Sequence, residues 1–439
     1  MAAAVRAGTL TPEDSVAAAL GRITAHDDEL GAFQVVRAQA ALAEATAVGV
    51  RADLATLPLA GVPVAIKDNI PVAGEPMRDG SAATSAAPRD HDHEVVRRLR
   101  AAGAVVVGLT RLPDLGLFAT TDSTYGITRN PWDAARTPGG SSGGSAAAVS
   151  AGMVPVAHGN DGMGSVRIPA ACCGLVGVKP GFGVVPVGIG ANDWYGMVEN
   201  GVLSTTVEDA ALVLSVMADR PDLARVAEPD RPLRVAVSWV PPVTGVRPDR
   251  EHLRAVARSA RVLGGAGHTL VKADPPYSVN PVPALARWFA SASMDAEGLD
   301  RSLLDRAARA HVEMGDRVRA RDLVQEADRD RIREDMAGFF AGVDLLVTPV
   351  LATPPIAAVR WGARPWARNI LANVRYAPYA APWNVVGYPA VAVPAGIHPE
   401  TGTPLAVQLV APDGGEALLL SVAAQLERLA PWPRTAPGY

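Results

Sequence analysis

The segment Pro138-Gly-Gly-Ser-Ser-Gly-Gly-Ser145 constrains this chain more than any other stretch of its length. Past the proline it carries nothing larger than a hydroxymethyl group. Such a segment either packs its backbone closely on a sheet or presents its serines on bare backbone. A second element of the same kind follows, Gly159-Asn-Asp-Gly-Met-Gly-Ser-Val-Arg-Ile-Pro169. Upstream lies Gly61-Val-Pro-Val-Ala-Ile-Lys-Asp-Asn69. Two exposed serines and a lysine that can lose its proton supply a nucleophile, a relay and a base, the parts that acyl transfer needs.

The lysine is informative because lysines are scarce. Of 41 basic residues only Lys67, Lys179 and Lys272 are lysines. Arginine stays protonated inside proteins, whereas a buried lysine loses its charge and can act as a base. The structural alternative is that Lys67 simply pairs with Asp68 or another carboxylate. Composition narrows the class further. The chain has 439 residues, 49% hydrophobic and 20% charged, with a net charge of −4. That is ordinary for a globular protein, leaves no basic footprint for nucleic acid and gives no reason to expect a membrane surface. Cys172 and Cys173 are adjacent and cannot staple distant segments, so they read as small packing residues in a reducing compartment. The N-terminal residues lack the apolar stretch of a signal peptide, and no apolar run approaches the ~18 residues that span a bilayer. A cytoplasmic location is expected.

Thr11-Pro12-Glu13-Asp14 opens a helix: N-cap, proline at its first position, acids in its first turn. Residues 62–66 read as a short buried strand delivering Lys67 to its end. A helix over 95–102 leads into a strand over 104–109, and this alternation argues for βαβ units and a largely parallel sheet. Residues 146–156 read as an apolar helix behind the Gly/Ser block, and 207–218 as an amphipathic helix. The charged, proline-bearing stretch 221–232 is the best boundary between two halves. Beyond it strands are expected over 233–239, 268–271, 344–350, 389–393 and 404–410, and helices over 252–263 and 416–429. Residues 281–338 read as a helical, Arg/Asp-rich outer layer or lid.

Several attractive matches fail on context. Gly139-Gly-Ser-Ser-Gly143 fits the G-x-S-x-G elbow, but that elbow needs a strand running into it and residues 130–138 are rich in turn formers. No lysine follows the glycines as in a phosphate-binding loop, so nucleotide binding is not expected. His91, Asp92, His93 and Glu94 could suggest a metal site, but they stand where a helix needs its cap and first-turn acids. His158 lies near Ser165 without a visible group to orient it and reads as a packed histidine. What survives is the Ser141/Ser165 pair. The bare amides of residues 162–165 can form a nest for a developing oxyanion.

These residues carry a resemblance. The chain is similar to the amidase signature family, whose hallmark is G-G-S-S-G-G-S followed by G-x-D-x-G-G-S-[IV]-R-x-P, with the base in a G-[VI]-P-[VI]-x-[IV]-K-D segment. Relay and nucleophile are 24 positions apart in the family, as are Ser141 and Ser165. Agreement continues through Ala171-Cys-Cys-Gly-Leu-Val-Gly-Val-Lys-Pro180, Gly201-Val-Leu-Ser-Thr-Thr-Val-Glu-Asp209, Pro389-Ala-Val-Ala-Val-Pro-Ala-Gly396 and Val407-Gln-Leu-Val410. The likeness covers nearly the whole chain and is weakest over 221–381.

The resemblance implies an α/β/α layered fold around a large central mixed β-sheet. The chain would be a single amidase domain: 1–220 the catalytic core, 221–385 a helical cap and variable pocket region, 386–439 closing strands and helix. It implies an amidohydrolase acting on linear amides, with Lys67 as base, Ser141 as relay and Ser165 as nucleophile forming an acyl-enzyme. The peptide between Gly140 and Ser141 would be cis. Gly162, Met163 and Gly164 would form the oxyanion hole. Ser142 would support the relay by hydrogen bonding, and Asp161 with Arg167 would fix the nucleophile loop. No cofactor or metal is expected; the partner is a small-molecule amide, and a homodimer would be unsurprising. One departure stands out, since the family usually has Gly where this chain has Met163: either the loop tolerates it or it narrows the acyl pocket and weakens the enzyme. Two other readings share these motifs: the catalytic component of a glutamine-dependent tRNA amidotransferase, and a silent scaffold whose hole Met163 blocks. Trp288, Trp361, Trp366, Tyr376, Tyr379 and Trp383 favour an apolar pocket over a glutamine-sized one.

Overall fold

The computed structural model describes residues 1–278 and 280–439. Its strands, in chain order, are β1 (Phe33–Val36), β2 (Pro63–Lys67), β3 (Val105–Thr110), β4 (Asp122–Ser123), β5 (Gly126–Ile127), β6 (Val156–Asp161), β7 (Val176–Lys179), β8 (Glu199–Ser204), β9 (Arg234–Val237), β10 (Thr269–Lys272), β11 (Leu345–Pro349), β12 (Ala390–Ile397) and β13 (Pro404–Val410). All but the β4–β5 hairpin join one 11-stranded sheet in the order β1-β3-β2-β6-β8-β7-β12-β13-β11-β9-β10. Among the described residues no helix is long and apolar enough to cross a membrane.

The sheet is mixed. β3, β2 and β6 are parallel, as are β11, β9 and β10, but from β6 through β8, β7, β12 and β13 to β11 each neighbour runs antiparallel. The expected parallel character therefore holds only towards the two flanks. Helix–strand alternation correctly reported the β2/β3 and β9/β10 units. The centre is built from β6, β7 and β8, none of which the sequence marks as a strand by alternation. Helices pack on both faces, because β2, β3, β6, β7, β8 and β13 are buried at every position. Strands covered on both sides read as continuous apolar runs rather than alternating ones.

Local signals place most elements. Thr11 Oγ1 accepts from Asp14 N at 3.0 Å and starts the helix Pro12–Leu30, with Glu13 and Asp14 in its first turn. His93 caps the helix Glu94–Ala101 through Nδ1, which accepts from Val95 N at 3.1 Å, and its Nε2 lies 2.9 Å from Val187 O. The helix expected over 146–156 instead begins in the glycines, Gly143–Ser150, and Val156 already belongs to β6. A Cβ on Gly144 would lie 2.5 Å from Ala32 O and 2.6 Å from the backbone of Arg111. Close approach to the sheet, not helix propensity, decides where that helix starts.

Residues 221–385 are more than a cap. Three strands from this stretch, β9, β10 and β11, extend the central sheet. The helices Val282–Asp295, Arg306–Ala320 and Glu326–Phe340 form the layer above it. Buried Trp288 and Ala290–Ser293 show that the first of these turns an apolar face inward.

Candidate active site

β2 and β6 lie side by side and parallel, so Lys67 at the end of β2 and Asn160 near the end of β6 emerge at the same edge of the sheet. Strand carboxyl ends are where open α/β sheets place their ligands. Lys67 is fully buried. Its Nζ lies 2.7 Å from Ser141 Oγ and 2.6 Å from Asn160 Oδ1, and Asn160 is steadied by Asn69, whose Oδ1 accepts from its Nδ2 at 2.7 Å. Burial pulls the Lys67 ammonium down to about 7, against the opposing charges of Asp79 and Asp161, which alone would raise it. Neutral, its amine keeps a lone pair directed to a neighbouring hydroxyl.

The Gly140–Ser141 peptide is cis, at the bond where the family resemblance locates it. A Cβ on Gly140 would come 2.5 Å from both N and O of Thr120, so no other residue fits there. Thr121 brackets the turn: its hydroxyl donates to Gly139 O at 2.8 Å and accepts from Gly143 N at 3.1 Å. Ser142 does not bond to the relay hydroxyls as expected. Its hydroxyl donates to Asn160 O at 3.2 Å and its amide to Ser165 O at 3.1 Å, so it fastens the two serine loops together.

Ser165 ends a tight loop that Asp161 organises. Asp161 Oδ1 accepts from Gly164 N at 2.6 Å, and Oδ2 accepts from Val166 N and Arg167 N at 3.2 and 3.3 Å. The Arg167 guanidinium closes on the same carboxylate at 2.9 Å, both side chains wholly buried. Burial would raise the Asp161 carboxyl, but the charge and hydrogen bonds of Arg167 outweigh it and hold it well below the usual range. Arg167 reaches on to Gln408 Oε1 and Asn384 Oδ1, each at 2.6 Å. The expected structural pair is thus the centre of a network that ties the nucleophile loop to the C-terminal strands.

This network corrects the expected oxyanion donors. The Gly164 N–H is committed to Asp161 and cannot serve. Among the described residues the N–H groups of Gly162, Met163 and Ser165 have no protein acceptor. Met163 does not adopt left-handed backbone; the loop puts that conformation at Gly164, φ +118°. The Met is therefore accommodated without strain, and its side chain lies against the apolar core at the edge of a cavity. Gly162 has no such latitude, since a Cβ there would lie 2.7 Å from the Trp194 ring.

Two cavities meet at Ser165. One, of about 530 Å³, is lined by Ser141, Asn160, Asp79, Arg89, Trp194 and Asp295 among others. The other, of about 380 Å³, is apolar, walled by Phe118, Met163, Ile168, Leu285, Trp288 and Val385 with neighbouring residues. Of the aromatic residues expected to shape a pocket, only Trp288 lines this cavity. Tyr379 donates to Trp239 O at 2.9 Å, Trp366 to His311 Nδ1 at 3.1 Å, Tyr376 to Ala119 O, and Trp383 is buried in the core. His158 is a packed histidine, held by Asn200 at 2.8 Å and pulled down to about 3 by burial. Both cysteines are buried and free, and burial raises their thiols. Sequence reasoning passed over Asn160, Asn384 and Gln408. The available signal for Asn160 was that a lysine kept neutral in the interior needs a polar partner.

Comparison with known proteins agrees with this geometry. The family model described as Amidase matches residues 14–420. AmiB2 of Mycobacterium tuberculosis, named as an amidase, is 40% identical over 98% of this chain and 95% of its own length. The 6-aminohexanoate-cyclic-dimer hydrolase of Paenarthrobacter ureafaciens is 33% identical over 99% of this chain and 94% of its own. A solved structure of a 6-aminohexanoate cyclic dimer hydrolase with its substrate superposes with a TM-score of 0.90, 30% identity, and coverage of 100% and 97% of the two chains. A glutamyl-tRNA(Gln) amidotransferase chain of Thermotoga maritima, at 24% identity and a TM-score of 0.76 over 97% and 94% of the two chains, shares the fold. By a family match and by relatives that both run almost end to end, this chain is a member of the amidase signature family and a hydrolase of amides.

Proposed function

We propose that the protein hydrolyses linear carboxylic amides through an acyl-enzyme on Ser165. The observation that carries this reading is the buried Lys67 Nζ at 2.7 Å from Ser141 Oγ. A lysine pulled down to about 7 is half neutral at ordinary pH and can take the Ser141 proton. Ser141 then accepts the Ser165 proton as Ser165 Oγ bonds to the amide carbon. The carbonyl oxygen gains the negative charge, and the Gly162, Met163 and Ser165 amides, which have no acceptor among the described residues, would receive it. On collapse the C–N bond breaks and the amine leaves with a proton returned through Ser141. Water repeats the sequence on the ester and frees the acid.

Linear substrates suit the site because two cavities with different linings, the second markedly more apolar, share Ser165. A chain with one substituent on each side of its scissile bond fills both. A relative is named for a cyclic dimer, so the decisive panel includes one cyclic diamide beside primary amides, anilides and glutamine. Purified wild type should release product from linear amides, and Ser165→Ala should lower kcat by at least 10⁴-fold while unfolding at the same temperature. Retained turnover in Ser165→Ala would overturn the assignment. Turnover of the cyclic diamide alone would replace the linear reading, and turnover of glutamine alone would narrow it to that one amide.

A further inference from the structure

We propose that Asp79, backed by Asp295, is an ammonium-recognising subsite on the leaving-amine side, so that the enzyme prefers amides whose amine half ends in a charged nitrogen. The inference rests on the hydrolase reading above and assigns its two cavities. Ser141 lines only the larger cavity, whereas Gly140 and Met163 line only the apolar one. A departing amine must collect its proton from Ser141, so the amine half occupies the cavity that Ser141 faces. The acyl half then lies in the apolar cavity.

The amine cavity contains two acids in different states of engagement. Both oxygens of Asp295 are used: Oδ1 accepts from Ala191 N at 2.7 Å and Oδ2 from Trp194 Nε1 at 2.9 Å. Asp295 thereby fastens the 188–197 wall. Asp79 is different: its Oδ1 is buried without a partner, and its Oδ2, the oxygen left open to the cavity, has no hydrogen-bond partner among the described residues. Its backbone is pinned on both sides, N–H to Asp68 O and C=O from Leu115 N, both at 2.9 Å, so the side chain is held beside the cavity. A half-buried carboxyl with no protein donor is open to a donor that a ligand brings.

The surrounding charges leave that role open. Burial, and then the charges of Asp295, Asp68 and Asp114, disfavour the Asp79 carboxylate, against the favouring charge of Lys67. Asp68 Oδ1 accepts from Arg78 N and Asp114 Oδ2 from Asp305 N. Lys67 is held at Ser141 and Asn160. Arg89 and His91 line the same cavity, and among the described residues neither forms an ion pair with Asp79 or Asp295. A ligand ammonium is the missing cation.

The test uses three matched amides: phenylacetyl with a pentylamine leaving group, the same with 5-aminopentylamine, and a 5-aminopentanoyl amide of pentylamine. Asp79 has left-handed backbone, φ +47°, which Asn tolerates as well as Asp, so Asp79→Asn keeps the loop. Wild type should favour the aminopentyl leaving group by roughly ten- to hundredfold in kcat/KM, the range a charge-assisted hydrogen bond supplies. In Asp79→Asn that ratio should fall to near one, and the pH profile should shift to lower pH for the pentyl substrate. Hydrolysis of the pentyl amide without a preference in wild type would overturn the subsite and leave the hydrolase standing. So would an equal loss on both substrates in Asp79→Asn, or a preference for the ammonium on the acyl half. If wild type cleaves none of the three, calorimetry on Ser165→Ala decides. Tighter binding of the aminopentyl amide, lost on adding Asp79→Asn, supports the subsite; equal binding or none overturns it.

Discussion

At Lys67 two effects oppose each other, and their balance is the chemistry. Removing the ammonium from water favours the neutral amine; nearby Asp79 and Asp161 favour the cation. Burial wins because the nearest atoms, Ser141 Oγ and Asn160 Oδ1, are uncharged. Only the neutral form is a base, so activity should rise with pH and level off once the lysine has lost its proton. The kcat/KM profile on a neutral amide should show an acid limb with an apparent pKa near 7, and a limb near 10 would show that Lys67 keeps an ordinary ammonium. Arginine could not take this position, since its guanidinium would stay charged at every working pH.

The loop Asp161 to Ser165 shows how an element can be held by one side chain. Past Asp161, which ends β6 opposite Glu199, residues 162–165 join no ladder among the described residues; a single carboxylate gathers the N–H groups of Gly164, Val166 and Arg167. The same carboxylate neutralises a guanidinium with no solvent contact. Asp161→Ala would strand that charge and those amides together, and removing one partner of a buried pair costs about 3–5 kcal/mol. The thermal unfolding midpoint should fall by several degrees and kcat with it. An unchanged midpoint would mean that Arg167 finds a replacement acceptor. Ser142 is the second fastening, joining this loop to the Gly/Ser turn through backbone bonds. The two serines are therefore placed relative to each other by contacts that neither makes itself.

Across the whole molecule, the catalytic edge is made by the first half of the chain and its apolar cavity is closed by the second. Leu285 and Trp288 come from the helix Val282–Asp295, and Val385 from the short helix before β12. Arg167 joins the halves through Gln408 and Asn384. If the apolar cavity takes the acyl group as proposed, specificity for that group is separable from the chemistry. Leu285→Trp should lower kcat/KM for phenylacetyl amides at least tenfold relative to acetyl amides, within the range that pocket volume commands. A uniform loss across acyl groups would show that this wall does not face the substrate.

Residue types and spacing alone determined the family and most element positions, and singled out Lys67, Ser141 and Ser165 as candidates, because caps, glycines and short apolar runs act locally. The helix Val207–Ala218, β13 and the helix Glu416–Leu429 stand at the expected bounds for that reason. β6 was illegible as a strand: His158-Gly-Asn-Asp161 carries the polar residues of the site, and its burial on both faces removes alternation. The availability of the Met163 amide, the loss of Gly164 as a donor and the unpartnered Asp79 were equally beyond sequence. Each depends on which acceptor a group meets after segments as distant as residues 67, 141, 161 and 408 have packed together. Distance in the chain carries no information about that contact; only the closed sheet brings the charges and amides within reach.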